Sequence, residues 1–345
     1  MTALIDNESR RRVASLITGF WPAQAINAAI RIGVPERLAQ APATADGLAA
    51  ATHAHPGSMY RLLRALVSIG IVDEDEGGVF TLTADGRSLL PDAPNSLRGM
   101  ALHVGNQLWP AFGELERCVR EGAPPPGIKH GPDGFAELND KPDEAAIFNQ
   151  SMVDGSRKVA GQAIAAFDFS RFSTVMDVGG GYGGVLAALL AANPALKGMI
   201  LDLPHGEAGA RAYLAGEGVA DRADYVTASF FDPIPPIADC YVLKYIIHDW
   251  NDDYARRIMA RVGAAARESN GTVVLIERVV PERIENDPAH RGIMQGDLTM
   301  MLWDGKERTA ADYRLLFEGA GLALSRIIDI GDGFSLIEGV VAGQA

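Results

Sequence analysis

The chain has 345 residues, 48% of them hydrophobic and 22% charged, which is ordinary globular composition and excludes disorder over its whole length. At roughly 150 residues per domain, the length predicts about two domains. The balance of 31 basic against 44 acidic side chains leaves a net charge of −13, which excludes a basic coat for nucleic acid or for an anionic membrane. No apolar run is expected to approach the roughly 18 residues of a membrane span, and the N-terminus shows no secretory signal. The two cysteines, Cys118 and Cys240, form no CxxC pair. A soluble protein of the reducing cytoplasm is expected, with no metal and no nucleic-acid or membrane partner.

Residues 13–31 carry Val13, Leu16, Ile17, Phe20, Ile26 and Ile30 at helical spacing. Thr44 precedes Ala45-Asp46-Gly47-Leu48 as a helix N-cap, and a further helix is predicted from Pro56 to Ile69. Gly70–Asp73 and Val79–Thr83 flank a turn-rich acidic stretch and predict a hairpin. Helices followed by a hairpin predict a winged helix. Its wing tip is acidic where DNA would place phosphate, so a structural or dimerising role is favoured over DNA binding.

Residues 91–170 read as helical with a Gly/Pro-rich break at 122–127. They carry Trp109, Phe112, Phe135, Phe148 and Met152, which are core residues or, as a group, walls of a pocket for a flat acceptor. From residue 171 strand-like runs alternate with helical ones: Thr174–Val178, Gly198–Leu203, Tyr225–Ala228, Cys240–Ile247 and Thr272–Val280. This predicts a mostly parallel α/β sheet of Rossmann-like type. Leu324–Ile330 and Phe334–Val341, joined by Gly331-Asp332-Gly333, predict a closing antiparallel hairpin.

The run Asp177-Val178-Gly179-Gly180-Gly181-Tyr182-Gly183-Gly184 ends a strand and opens a helix. Such a turn brings the backbone close to a nucleotide-type ligand and fits either a dinucleotide or S-adenosylmethionine. Asp202 at the end of the next strand can accept from both ribose hydroxyls in either case. The closing hairpin favours S-adenosylmethionine, as does Asp177, which would repel a pyrophosphate but tolerates a cationic methionine tail.

With Asp202-Leu203-Pro204-His205, Leu243–Asp252 (including His248-Asp249-Trp250) and Gly305-Lys306-Glu307-Arg308-Thr309, these stretches resemble the plant-type, or family 2, S-adenosylmethionine-dependent O-methyltransferases, in their bacterial small-molecule branch. The resemblance covers most of the chain. It implies a class I methyltransferase sheet over 171–345, a helical linker contributing to the substrate pocket over 96–170, and a winged-helix dimerisation domain over 1–95. It implies a homodimer and a cofactor held by Gly179, Gly180, Gly181, Asp202, Leu203 and Lys244. At the adenine edge the family carries an acidic residue before an apolar one. Here the pair is Ser229-Phe230, which keeps an apolar wall without the acidic contact.

His248 stands at the carboxyl end of its strand, the rim where open α/β sheets bind ligands. Together with the resemblance, this makes it the expected general base, with Glu277 and Glu307 as the carboxylates flanking its ring. Met301 and Trp303 join Trp109, Phe112, Phe148 and Met152 as candidate acceptor walls. The expected reaction is methyl transfer to a hydroxyl of an aromatic small molecule. N-methylation or non-methylating chemistry within the same family, a S-adenosylmethionine-sensing winged-helix regulator, and an NAD-dependent oxidoreductase are the alternatives.

Overall fold

The computed structural model describes residues 6–93, 96–126 and 140–343. Contacts divide the chain into two compact units, residues 1–109 and 110–345.

The first unit opens with helices Asn7–Thr18 and Phe20–Ile32, then Val34–Gln40, Ala45–Thr52 and Pro56–Ser68. Thr44 caps its helix as the sequence predicts, accepting from Gly47 N at 3.2 Å. Pro56 occupies the first turn of the last of these helices, which buries Met59, Leu63 and Leu66. Full burial of such a side chain stabilises the fold by about 1.5–3 kcal/mol. Strands β1 (Ala43–Thr44), β2 (Val72–Glu74) and β3 (Val79–Leu82) form a small antiparallel sheet in the order β1-β3-β2. Asp75 Oδ1 closes the wing by accepting from Gly77 N and Val79 N, both at 2.9 Å.

One expectation fails here. Residues 7–32 are, by length and composition alone, long and apolar enough to cross a membrane. The 18 residues from Val13 to Ile30 carry no charge. Val13, Leu16, Ile17 and Phe20 on this stretch are exposed.

The second unit is built on an eight-stranded sheet. Its strands are β4 (Thr174–Val178), β5 (Lys197–Asp202), β6 (Ala223–Thr227), β7 (Cys240–Lys244), β8 (Thr272–Val280), β9 (Arg308–Thr309), β10 (Leu322–Gly331) and β11 (Phe334–Val341). The main order is β10-β11-β8-β7-β4-β5-β6, with β9 beside β8. Strands β4 to β8 pair in parallel, whereas β11 runs antiparallel between β8 and β10. This is the expected parallel sheet closed by a C-terminal hairpin.

Both faces are covered, so the central strands read as continuous apolar runs. Val175, Val242, Val274 and Ile276 meet helices 142–166, 184–192 and 207–216. Met176, Tyr241, Leu243 and Leu275, one residue out of phase, meet helices 252–269 and 310–319 on the other face. Strand β7 is shorter than predicted. It ends at Lys244, Tyr245 turns to φ +55°, and Ile247–Asp249 form a 3-10 turn. Ile246 and Ile247 are apolar because that turn packs inward, not because they extend the sheet.

Candidate active site

The parallel pairing of β4 with β7 places the turn after β4 beside the turn after β7. Gly179 shows why a glycine is needed. Its φ is +75°, and a Cβ there would lie 2.5 Å from Ile246 Cδ1 and 3.4 Å from Phe230 Cε1. The Gly179–Gly181 turn is tied to the next strand by Asp202, whose Oδ2 accepts from Gly181 N at 2.7 Å while Oδ1 accepts from Leu203 N at 2.6 Å. Phe230 packs edge-on against Trp250 at 5.6 Å, and Ser229 Oγ accepts from Phe231 N at 3.2 Å.

Asp177 is buried beneath Gly180, and its Oδ2 has no hydrogen-bond partner among the described residues. Burial, with the nearby Asp202 carboxylate, raises its pKa to about 7. Asn149, also buried, lies beside Gly181 and leaves its Nδ2 unpaired in the same sense. Lys244 donates to Ser156 Oγ at 2.9 Å, and burial lowers its ammonium pKa to about 8 against the pull of Asp177, Glu277 and Asp249. An open glycine turn ringed by unpaired buried polar atoms of both kinds fits a ligand carrying ammonium, carboxylate and hydroxyl groups. S-adenosylmethionine is such a ligand, and Gly179–Gly181, Asp202, Leu203 and Lys244 border the turn that would hold it.

His248 is buried on the turn after β7. Its Nδ1 lies 3.1 Å from Glu307 Oε1, so that nitrogen carries the proton and donates. Its Nε2 lies 3.4 Å from Asp249 Oδ1. The Tyr245 ring stacks on the imidazole with centroids 4.3 Å apart and planes 13° from parallel. Burial pulls the imidazole pKa down, but Asp249, Glu277 and Glu307 outweigh it and hold it at about 9.

Glu277 sits fully buried in the central β8 and does not bond the ring. Its Oε1 accepts from Ile246 N at 3.0 Å and Ile247 N at 2.8 Å, so it anchors the backbone of the turn that carries His248. Of the two glutamates expected beside the histidine, Glu307 orients the ring and Glu277 holds the turn. The carboxylate nearest Nε2, Asp249, adjoins His248 in the sequence, yet no spacing rule marks it out. By spacing, His248, Glu277 and Glu307 also offer one metal-ligand atom each within 4.8 Å of one another. One oxygen of each glutamate is already engaged as described.

Arg308 holds the two halves of this cluster together. It is fully buried and donates to the carbonyls of Ile247 and Trp250, both at 2.7 Å, and to Asp252 Oδ1 at 3.0 Å. Lys306 N donates to His248 O at 2.9 Å. Glycine at 296 leaves room at the cluster's edge, since a Cβ there would lie 2.5 Å from an Arg278 guanidinium nitrogen and 3.0 Å from Glu307 Oε1.

Of the candidate acceptor walls, Phe112, Met301 and Trp303 pack together around Ala111, Cys118 and Leu302. Met152 lies one helical turn before Ser156, whose hydroxyl donates to the Met152 carbonyl. Trp109 belongs to the first unit and packs against Phe20 at 6.0 Å. Phe135 and the Phe148 side chain lie outside the described residues.

Residues 112–323 match the O-methyltransferase domain, and residues 14–92 match the O-methyltransferase dimerisation domain. The chain is 35% identical over 323 residues to the mitomycin biosynthesis 6-O-methyltransferase of Streptomyces lavendulae, covering 93% of this chain and 91% of that one. It is 33% identical to the phenazine O-methyltransferase PhzM of Lysobacter antibioticus, covering 94% of each. The crystal structure of LaPhzM superposes with a TM-score of 0.89 at 32% identity over 96% of this chain and 99% of that one. The O-methyltransferase NcsB1, solved with S-adenosylmethionine and 2-hydroxy-5-methyl naphthoic acid, superposes at 0.78 with 32% identity over 94% and 98%.

The chain therefore belongs to the O-methyltransferase family built from a dimerisation domain and a class I catalytic domain. Within it the protein is a S-adenosylmethionine-dependent O-methyltransferase.

Proposed function

We propose that this enzyme methylates a hydroxyl of an aromatic small molecule, with His248 as general base, Glu307 and Glu277 as its supports, and a homodimer formed through the first unit. The single observation that carries the reading is the 3.1 Å contact between His248 Nδ1 and Glu307 Oε1 on the rim beside the glycine turn. Relatives named for phenazine, mitomycin and naphthoate substrates support the aromatic acceptor. The exposed apolar side chains of residues 13–20 and the dimerisation-domain match support the homodimer, and account for the membrane-length stretch. Two free, buried thiols fit a reducing cytoplasm.

When bound, S-adenosylmethionine supplies a methyl group already activated on a sulfonium and a positive charge that opposes protonation of nearby groups. His248 takes the acceptor's hydroxyl proton at Nε2 while Nδ1 stays bonded to Glu307. The resulting imidazolium is then met by the carboxylates of Glu307 and Asp249. An ordinary imidazole near 6.5 facing a phenol near 10 is mismatched by about 4.8 kcal/mol. The carboxylates that raise this ring's pKa in the free enzyme reduce that mismatch.

The test is His248→Ala assayed with labelled S-adenosylmethionine and a panel of phenols and aromatic amines. The variant binds S-adenosylmethionine normally by calorimetry and loses roughly 10²- to 10⁴-fold in turnover on phenols, as removal of a general base does. Retained turnover removes His248 from the mechanism. Turnover confined to amines moves the enzyme to N-methylation, the activity named for a relative 30% identical to it, the 8-amino-8-demethylriboflavin N,N-dimethyltransferase of Streptomyces davaonensis.

A further inference from the structure

Tyr245 occupies a backbone conformation that an aromatic residue rarely takes. Its φ of +55° lies in the left-handed region, which is unfavourable for a residue with a Cβ. The strain is not that of an unpaired end, because Tyr245 N still donates to Ile276 O at 3.1 Å and so completes the ladder between β7 and β8. What the turn achieves is the placement of the side chain. Lys244, the last strand residue, reaches Ser156, and the reversal at Tyr245 brings its ring flat over the imidazole three residues later.

The contact supplies something the Glu307 hydrogen bond does not. The covalent tether at Cγ and the Nδ1 bond hold one edge of the imidazole, with Nε2 3.4 Å from Asp249 Oδ1, and leave a freedom to tilt that only packing on the ring face removes. A second ring 13° from parallel and 4.3 Å away removes that freedom. Tyr245 is itself backed by Phe334 at 4.8 Å, with Lys244 Nζ 4.9 Å and Arg278 Cζ 5.8 Å from its centroid.

We propose that Tyr245 is a positioning residue for methyl transfer. Its ring, carried over His248 by the left-handed turn at the end of β7, sets the plane in which Nε2 meets the acceptor hydroxyl. This rests on the reading of His248 as base. The charged groups around the stacked pair are Lys244 on β7, Glu277 and Arg278 on β8, Asp249 on the following turn and Glu307 before β9. A change of ring plane therefore alters which carboxylate each nitrogen meets.

The experiment compares Tyr245→Asn, which tolerates the left-handed backbone but has no ring, with Tyr245→Phe, which keeps the ring. Turnover and S-adenosylmethionine affinity are measured on each purified enzyme. The His248 tautomer is read from long-range ¹⁵N spectra at a pH above about 9, where the ring is neutral and a tautomer is defined, with His248→Gln assigning the signal. The Asn variant is expected to lose about 10- to 100-fold in kcat, the scale of an ångström-level misplacement, with its S-adenosylmethionine Kd within about threefold of wild type. Its His248 signal changes from a single Nδ1–H tautomer to a mixture, and the Phe variant recovers most of the turnover and the single tautomer. An Asn variant with wild-type kcat, or one whose kcat loss comes with an unchanged His248 signal, overturns the proposal. Should the Asn variant not fold, a Phe variant with a mixed tautomer overturns it equally. Failure of the base reading shows up separately, as turnover retained in His248→Ala, and leaves the tautomer comparison intact.

Discussion

Arg308 and Trp250 are joined by a 2.7 Å hydrogen bond from a guanidinium nitrogen to a main-chain carbonyl, in a region from which solvent is excluded. The other terminal nitrogen takes the Ile247 carbonyl at the same distance. One side chain thus brackets the turn bearing His248 while its own backbone follows directly on Glu307. The planar fork is what allows two carbonyls to be met at once.

Arg308→Met removes two hydrogen bonds from a charged donor, each worth about 1.5–3 kcal/mol, while Ile247 O keeps its bond from Trp250 N at 3.4 Å, so urea denaturation is expected to show a loss of about 3–6 kcal/mol. Turnover falls as well, because the spacing of His248 and Glu307 is no longer enforced. Arg308→Lys reaches one carbonyl only and recovers part of the stability. A Met variant as stable as wild type would show that the fork is ornamental.

The pKa of His248 makes the free enzyme sensitive to alkali. A folded value of about 9 lies above the ordinary 6.5, so the contribution to stability is complete below pH 6.5 and is lost as pH rises through 9. Thermal melts of the free enzyme are expected to decline across that window, and His248→Gln to flatten the decline. In kinetics, the acid limb of kcat/KM for S-adenosylmethionine, which reports free enzyme, is expected to lie at higher pH than the acid limb measured at saturating S-adenosylmethionine. Identical limbs would mean that the bound cation does not reach the ring.

Leu16 and Ile17 are 71% and 69% exposed on the helix Asn7–Thr18, which buries none of its residues within the chain. Removing such side chains from water is what a subunit contact offers. Wild type is expected to sediment as a dimer and the double variant Leu16→Glu, Ile17→Glu as a monomer. A dimer that survives the two charges places the contact elsewhere.

Much of the architecture was legible in the residues. Strands Thr174–Val178, Thr272–Val280 and Phe334–Val341 fall where their apolar runs predict, and the Thr309 cap falls where the motif ends. The cluster of His248, Glu277 and Glu307 was legible as a set but not as a geometry. Glu277 and Glu307 look alike in the sequence, yet only the strand register reveals that one addresses backbone amides and the other the ring. Arg308 reads as a surface charge because sequence patterns assign arginine to water; its burial follows from carbonyls contributed by a segment about sixty positions earlier. Tyr245 was hidden for a related reason. An aromatic inside an apolar run reads as strand, and a single reversed φ leaves no periodic trace.

The insertion of β11 between β8 and β10 has a consequence for how the enzyme comes to be made. Glu277 is paired across the sheet with Ser335, so the strand bearing it lacks its outer neighbour until residues 334–341 have left the ribosome. The glycine turn and His248 are translated far earlier. A nascent chain can therefore present the glycine turn before β8 gains its outer neighbour, and the strand whose Glu277 anchors the turn of His248 waits on residues 334–341 for its full pairing.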